Sequence, residues 1–135
     1  GVKLMKKIGI LLNLILILNC DGGAVVGSDN VNMIDYVEFS QITTSNNGNN
    51  LEVSGHVINI SETKTISSQW YVECQFYATE NKTLKIGGDN TQINVPLDPG
   101  QETIWTIIWY PGNNININLD DYPNFTFDNL RAYRN

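Results

Sequence analysis

The chain has 135 residues, with 8 basic and 14 acidic side chains, two cysteines and one histidine. This length suits one domain with one hydrophobic core. Three of the basic residues precede Cys20 and all the acidic residues follow it, so the chain from Cys20 onward carries five positive and fourteen negative charges, a net of −9. That balance argues against a nucleic-acid partner, whose phosphates require clustered Lys and Arg. It also argues against electrostatic adhesion to anionic lipid.

Residues 5–20, MKKIGILLNLILILNC, have the pattern of an export signal. Two lysines precede an apolar run of 11 residues that is broken by Asn13. A helix that crosses a bilayer needs about 17 to 25 residues, so this run is too short for a good permanent anchor. Its end, ILNC, resembles the lipobox of bacterial lipoproteins, whose cysteine becomes the acylated first residue of the mature chain. Asn19 stands where lipoboxes usually have Gly, Ala or Ser.

The lipobox resemblance implies a signal segment over 1–19, lipidation of Cys20 and attachment to a membrane through several acyl chains. An ordinary cleaved secretion signal and an uncleaved anchor are the alternatives. Residues 20–33 are rich in Gly, Asp, Asn and Ser and predict a flexible tether. If Cys20 carries lipid, Cys74 has no partner within the chain, and no disulfide framework forms.

From Ile34 onward, short runs rich in Val, Ile, Thr and aromatic residues alternate with Asn, Gly, Asp and Pro clusters, which is typical of antiparallel β-structure. The third run is the longest and is predicted to be the central strand. Near the chain end, Phe125 and Phe127 share one phase while Leu130 and Ala132 share the other, which predicts a one-residue bulge. The runs cover residues 34–43, 51–60, 67–79, 83–86, 92–95, 102–110 and 125–133.

These seven runs predict an immunoglobulin-like antiparallel β-sandwich of about seven strands over residues 34–135, preceded by the signal segment and the tether. In the sixth run, Ile104, Thr106 and Ile108 face away from Trp105 and Ile107, so we expect both faces to be covered. The predicted core is apolar and needs neither a disulfide nor a metal. It consists of Val53, Val57, Trp70, Val72, Cys74, Phe76, Trp105 and Ile107.

Three segments resemble the FxLyD-type domains of prokaryotic surface proteins and lipoproteins. They are Val53-Ser-Gly55-His-Val57-Ile-Asn59-Ile-Ser61, Val72-Glu-Cys74-Gln-Phe76-Tyr77, and Leu97-Asp-Pro99-Gly100-Gln-Glu102 with Trp105 after it. The resemblance covers about residues 51–109. Cys74, Phe76 and Ala78 depart from the naming motif and Tyr77 keeps it. The resemblance implies a small immunoglobulin-like sandwich outside the cytoplasm and no active site.

The sequence offers little catalytic chemistry. His56 is the sole histidine, it has no recognisable Ser or Cys nucleophile nearby, and an exposed strand position is expected for it. Cys74 alternates with apolar residues and is expected to be a buried small hydrophobe. These residues do not suffice for a zinc site. The prediction is a protein that is not an enzyme and has no cofactor.

Two binding hypotheses remain. Asp120, Asp121 and Asp128 lie in an oxygen-rich region and are candidates for binding Ca²⁺, with a solvated loop as the alternative. Tyr71, Tyr77 and Tyr110 are candidates for an exposed aromatic patch that contacts a ligand, with packing under loops as the alternative.

The sequence therefore predicts a lipid-anchored, extracytoplasmic protein of the cell envelope, either periplasmic or on the cell surface. Its expected role is binding or assembly with an unidentified protein or glycan partner. There are three alternatives: a structural spacer, a secreted enzyme, and an accessory subunit of an envelope complex or of an enzyme.

Overall fold

The computed structural model describes residues 32–112 and 116–135. The described residues form seven strands and one short 3₁₀ helix (Leu119–Asp121), so the predicted antiparallel β-sandwich of about seven strands is confirmed. The signal segment, Cys20 and most of the tether lie outside the described residues. The strands are β1 (Asn32–Ile34), β2 (Val37–Asn46), β3 (Leu51–Asn59), β4 (Trp70–Tyr77), β5 (Lys85–Ile93), β6 (Glu102–Trp109) and β7 (Thr126–Arg134).

The strands form two antiparallel sheets that enclose one core. One sheet has four strands in the order β1-β7-β4-β5, and the other has three in the order β2-β3-β6. β4 lies between β7 and β5, which confirms it as a central strand. The alternation along β4 sends Trp70, Val72, Cys74 and Phe76 into the core, and all are fully buried.

Two strand boundaries differ from the sequence prediction. The run 34–43 belongs to two strands, because β1 ends at Ile34 and pairs with β7 while β2 begins at Val37 and pairs with β3. The runs 83–86 and 92–95 each contribute two residues to the single strand β5, and the GGDN cluster at 87–90 lies inside it. Gly87 is required there because an added Cβ would stand 2.4 Å from the Trp109 ring of the opposite sheet. The two errors cancel, so the number of strands agrees.

Every predicted core residue is buried: Val53, Val57, Trp70, Val72, Cys74, Phe76, Trp105 and Ile107. Aromatic rings join the two sheets. Phe76 stacks on Trp109 with the ring centroids 6.1 Å apart, and it contacts Phe125 at 6.0 Å. Burial of each large apolar side chain stabilises the fold by about 1.5 to 3 kcal/mol. The expectation that both faces of β6 are covered is wrong, because Ile104 on the outer face is 70% exposed.

Bulges interrupt three of the strands, β2, β5 and β7. Glu73 pairs with Arg131 and Gln75 pairs with Asp128, so β7 holds one more residue than β4 over this interval. Asn129 takes up the bend with a φ of 56°, which confirms the predicted bulge. A second bulge in β2 centres on Gln41, whose φ is 53°.

Candidate functional site

Neither His56 nor Cys74 is arranged for nucleophilic catalysis. His56 lies on the outer face of β3, and its Nδ1 is 2.6 Å from Glu102 Oε2 on β6. Its side chain is 31% exposed, and it forms a surface ion pair whenever the imidazole is protonated. Cys74 is a free, buried cysteine, as expected. Burial raises the pKa of its thiol, and the carboxylates of Glu73 and Asp89 raise it further. Because the thiolate is the reactive form, this thiol is unreactive.

The three tyrosines of the hypothetical aromatic patch lie apart. Tyr71 and Tyr77 are at opposite ends of β4, about 20 Å apart along a strand of ordinary rise. Tyr71 stacks on Tyr133 of β7, with the ring centroids 5.2 Å apart. Tyr110 follows β6 in the other sheet and is 60% exposed. The patch hypothesis therefore lacks a single surface on which all three rings meet.

The three aspartates of the calcium hypothesis also lie on different elements. Asp120 and Asp121 are in the 3₁₀ helix, which Asn118 caps through a bond from the Asp120 N–H. Asp128 lies on β7, with its Oδ2 3.7 Å from Lys82 Nζ. Among residues 32–112 and 116–135, no group of three or more His, Cys, Asp and Glu side chains is placed to hold a metal ion.

A polar cluster lies on the side of the four-stranded sheet that faces away from the core. It consists of Tyr71, Glu73 and Gln75 of β4 and Arg131 and Tyr133 of β7. Glu73 is fully buried, and the Arg131 Nε donates a hydrogen bond of 2.5 Å to its Oε2. Burial raises the pKa of Glu73, although the positive charge and hydrogen bond of Arg131 lower it in part.

Among residues 32–112 and 116–135, neither amide atom of Gln75 has a hydrogen-bond partner. Alternation along β4 places Glu73 and Gln75 on one face, but the sequence gives no signal that this face is closed to solvent. Both side chains are fully buried, so a ligand does not reach them in this structure. We therefore assign no ligand to the polar cluster, and its unpaired atoms lower the stability of the folded state.

Within residues 32–112 and 116–135, an accessible concave surface lies at one open side of the sandwich. Two adjoining hollows of about 300 and 450 Å³ share Thr44 and Phe125 as lining residues. We call their union the open-side groove. Its lining residues are Thr44, Ser45 and Asn46 of β2, Glu80 and Lys82 of the β4–β5 loop, Asp120, Pro123 and Phe125 of the segment before β7, and Thr126 and Phe127 of β7.

The groove exists because two strand edges face it without a partner strand. β1 has three residues and pairs only with the stretch of β7 from Ala132 to Arg134. In the part of the chain that the structure describes, no strand pairs with the same edge of β7 over 126–130, and none pairs with the outer edge of β2. Backbone N–H and C=O groups at such edges are free to bind another extended chain.

The walls of the groove are apolar at the base and acidic at the rim. Phe125 belongs to the core and is 8% exposed, while Phe127 is partly buried against the core. Glu80 and Asp120 line the rim together with Lys82, whose ammonium pairs with Asp128. The groove thus combines strand edges, two aromatic side chains and a net negative charge.

Sequence reasoning missed this groove. Thr44 and Phe125 are 81 positions apart in the chain, and only the arrangement of the two sheets brings them together. The sequence feature that could have indicated the groove is the period-two pair Phe125 and Phe127, which follows the exposed turn residues 123–124.

Comparisons with known proteins identify no relative of this chain, since no family model, no curated protein and no solved structure matches it. Within residues 32–112 and 116–135, the structure contains no helix with the length and apolar character needed to cross a bilayer.

Proposed function

We propose that this protein is a non-enzymatic, lipid-anchored component of the cell envelope, and that its β-sandwich is a binding or assembly module resembling FxLyD-type domains. The observation that carries the proposal is the short apolar leader that ends in ILNC at Cys20. β1 begins twelve residues later, at Asn32. That interval is enough for a tether between an acylated Cys20 and the sandwich.

The described side chains support contact rather than catalysis. His56 is engaged with Glu102 on an outer sheet face, and the Cys74 thiol is in the core. The open-side groove offers strand edges and aromatic side chains, which are features of protein-binding surfaces. In this proposal the acyl chains hold the module at the membrane and the sandwich meets its partner.

The anchor is tested by expressing the complete chain in bacteria that process lipoproteins. We expect the native protein to partition into the detergent phase, and its N-terminal peptide to begin at Cys20 with the added mass of acyl chains. Cys20→Ser is expected to move the protein to the aqueous phase.

Cys74→Ser is the matched control, because it removes the other cysteine and leaves the leader intact. It is expected to partition as the wild type does. A native protein that begins at Met5, or that stays in the aqueous phase, contradicts the proposal.

A further inference from the structure

We propose that the open-side groove binds an extended, positively charged polypeptide segment of an envelope partner, which adds as a strand along the outer edge of β2. This inference rests on the proposed function, because a tethered binding module needs a surface at which its partner docks.

The edge of β2 favours an extended occupant over a helix. In the described part of the chain this edge has no neighbouring strand, and a peptide that aligns with it satisfies main-chain donors and acceptors on both sides. The bulge at Gln41 interrupts the regular edge. Regular pairing is therefore confined to the residues after the bulge, 43–46, and the bound strand is short.

The base of the groove favours apolar side chains on one face of that strand. Phe125 and Phe127 line the groove beside Thr44. Side chains alternate along a strand, so every second residue of the occupant is directed toward these rings while the others reach the rim. An alternating sequence of apolar and polar residues meets both requirements.

The charge of the groove rim favours basic residues at the polar positions of the bound strand. Glu80 and Asp120 are exposed, and the rim cation Lys82 is already paired with Asp128. A second copy of this protein is disfavoured as the occupant because the chain from Cys20 onward carries a net charge of −9. Lys and Arg at the alternate positions of a partner segment complement the rim.

The test uses the detergent-solubilised mature protein and a blocked synthetic peptide of alternating Lys and Val, followed by hydrogen exchange with mass spectrometry. We expect slower exchange in residues 43–46 and 126–130 when the peptide is present, and unchanged exchange in β3 and β6. A peptide of alternating Lys and Pro keeps the charge but lacks half of the donors, and a peptide of alternating Glu and Val reverses the charge. Neither is expected to protect the groove.

The rim is tested with the double variant Glu80→Lys/Asp120→Lys. We expect its Kd for the Lys-Val peptide to be about tenfold higher, since each exposed charge contact contributes modestly. Glu62→Lys is the control, because Glu62 is an exposed acid outside the groove. It is expected to change the Kd less than twofold.

Four results overturn the proposal: no protection at saturating Lys-Val peptide, equal protection by the Lys-Pro peptide, protection outside the groove, or protection that appears with protein concentration alone. The last result identifies a second copy as the occupant. Detergent-phase partitioning does not depend on groove residues. If the peptide does not bind the groove but the protein still partitions into the detergent phase, the proposed function is unaffected. Loss of detergent-phase partitioning contradicts the proposed function whatever the peptide does.

Discussion

Gln75 and Asn59 both have fully buried side-chain amides, but they differ in how well their hydrogen-bonding groups are satisfied. Neither amide atom of Gln75 has a hydrogen-bond partner in the part of the chain that the structure describes. Asn59 Nδ2 donates to the carbonyls of Lys64 and Leu97 at 2.7 and 2.9 Å, and its Oδ1 accepts from the Ser61 N–H. An unpaired buried polar group costs about 1 to 3 kcal/mol, so these residues contribute to stability with opposite signs.

We predict that Gln75→Leu raises the free energy of unfolding by about 1 kcal/mol, because two apolar methyl groups take the place of an amide that has no partner among the described residues. Asn59→Leu, the matched control, is expected to lower it by about 3 kcal/mol because two carbonyls lose their donor. Urea unfolding of both variants measures the difference. A Gln75→Leu protein less stable than the wild type contradicts the interpretation of the polar cluster.

Glu73 gives the fold a pH dependence of unusual sign. Its pKa in the folded state is raised from the ordinary value of 4.5, chiefly because the carboxyl is buried. The folded protein therefore holds the proton more tightly than the unfolded chain. The contribution of Glu73 is most favourable below pH 4.5 and is lost as the pH rises through the folded-state pKa.

We expect Glu73→Gln to flatten the part of the stability profile that falls as the pH rises above 4.5. Glu38→Gln removes an exposed carboxyl of equal charge and is expected to leave that part unchanged. Urea midpoints measured across this pH range for the three proteins provide the comparison. Parallel profiles for wild type and Glu73→Gln would show that the buried carboxyl has no raised pKa.

At the scale of strands, close approach between the sheets explains a glycine that sequence reasoning assigned to a turn. The Trp109 ring occupies the space where a side chain at Gly87 would lie, with three ring atoms within 2.4 to 2.6 Å of the added Cβ. We predict that Gly87→Ala lowers the free energy of unfolding by about 1 to 3 kcal/mol, as overpacked core positions do. Thermal and urea unfolding measure the loss.

The control for this steric argument is a double variant. Trp109→Leu removes the ring and costs stability through the cavity it leaves. If the ring is the obstacle, Gly87→Ala added to Trp109→Leu costs less than Gly87→Ala alone. Equal costs in the two backgrounds would show that the main chain of β5, rather than the ring, requires glycine.

Alternation predicts the core-facing residues of β3, β4 and β6 best. Each of these strands sends residues of one phase into the core, so its core-facing residues follow from period two. The edge strand β5 carries Gly87, Gly88 and Asp89 in its interior, and local composition there favours a turn. Tertiary contact with Trp109 overrides that preference, and no local pattern reports it.

The contacts of β3 with β2 and with the turn before β6 give the residues of the resemblance a structural explanation. An added Cβ at Gly55 would lie 2.9 Å from the Ser40 carbonyl of the bulged strand β2. The Asn59 main-chain carbonyl accepts from the Gly100 N–H, which joins the end of β3 to the Pro99-Gly100 turn. The Gly, Asn and Pro-Gly positions on which the resemblance rests therefore serve packing and turn geometry in this chain.

For the whole molecule, the sequence was sufficient for the class of fold and insufficient for the surface that we assign to binding. Alternation along single strands predicts which residues enter a common core. The groove depends instead on how far β1 extends along β7 and on where β2 is bulged. Both depend on how the sheets assemble. The local sequence around Thr44 and Phe127 therefore does not indicate that the two residues line one groove.

The charge of the whole molecule yields the last prediction. The chain from Cys20 onward carries a net charge of −9, and repulsion among exposed acids destabilises the compact state. Raising NaCl from about 0.01 M to about 0.3 M shortens the screening length severalfold, so we expect the urea midpoint to rise. Glu38→Lys/Glu62→Lys reduces the net charge to −5 and is expected to show a smaller rise from a higher starting midpoint. A salt response equal in both proteins would show that NaCl acts through apolar burial instead.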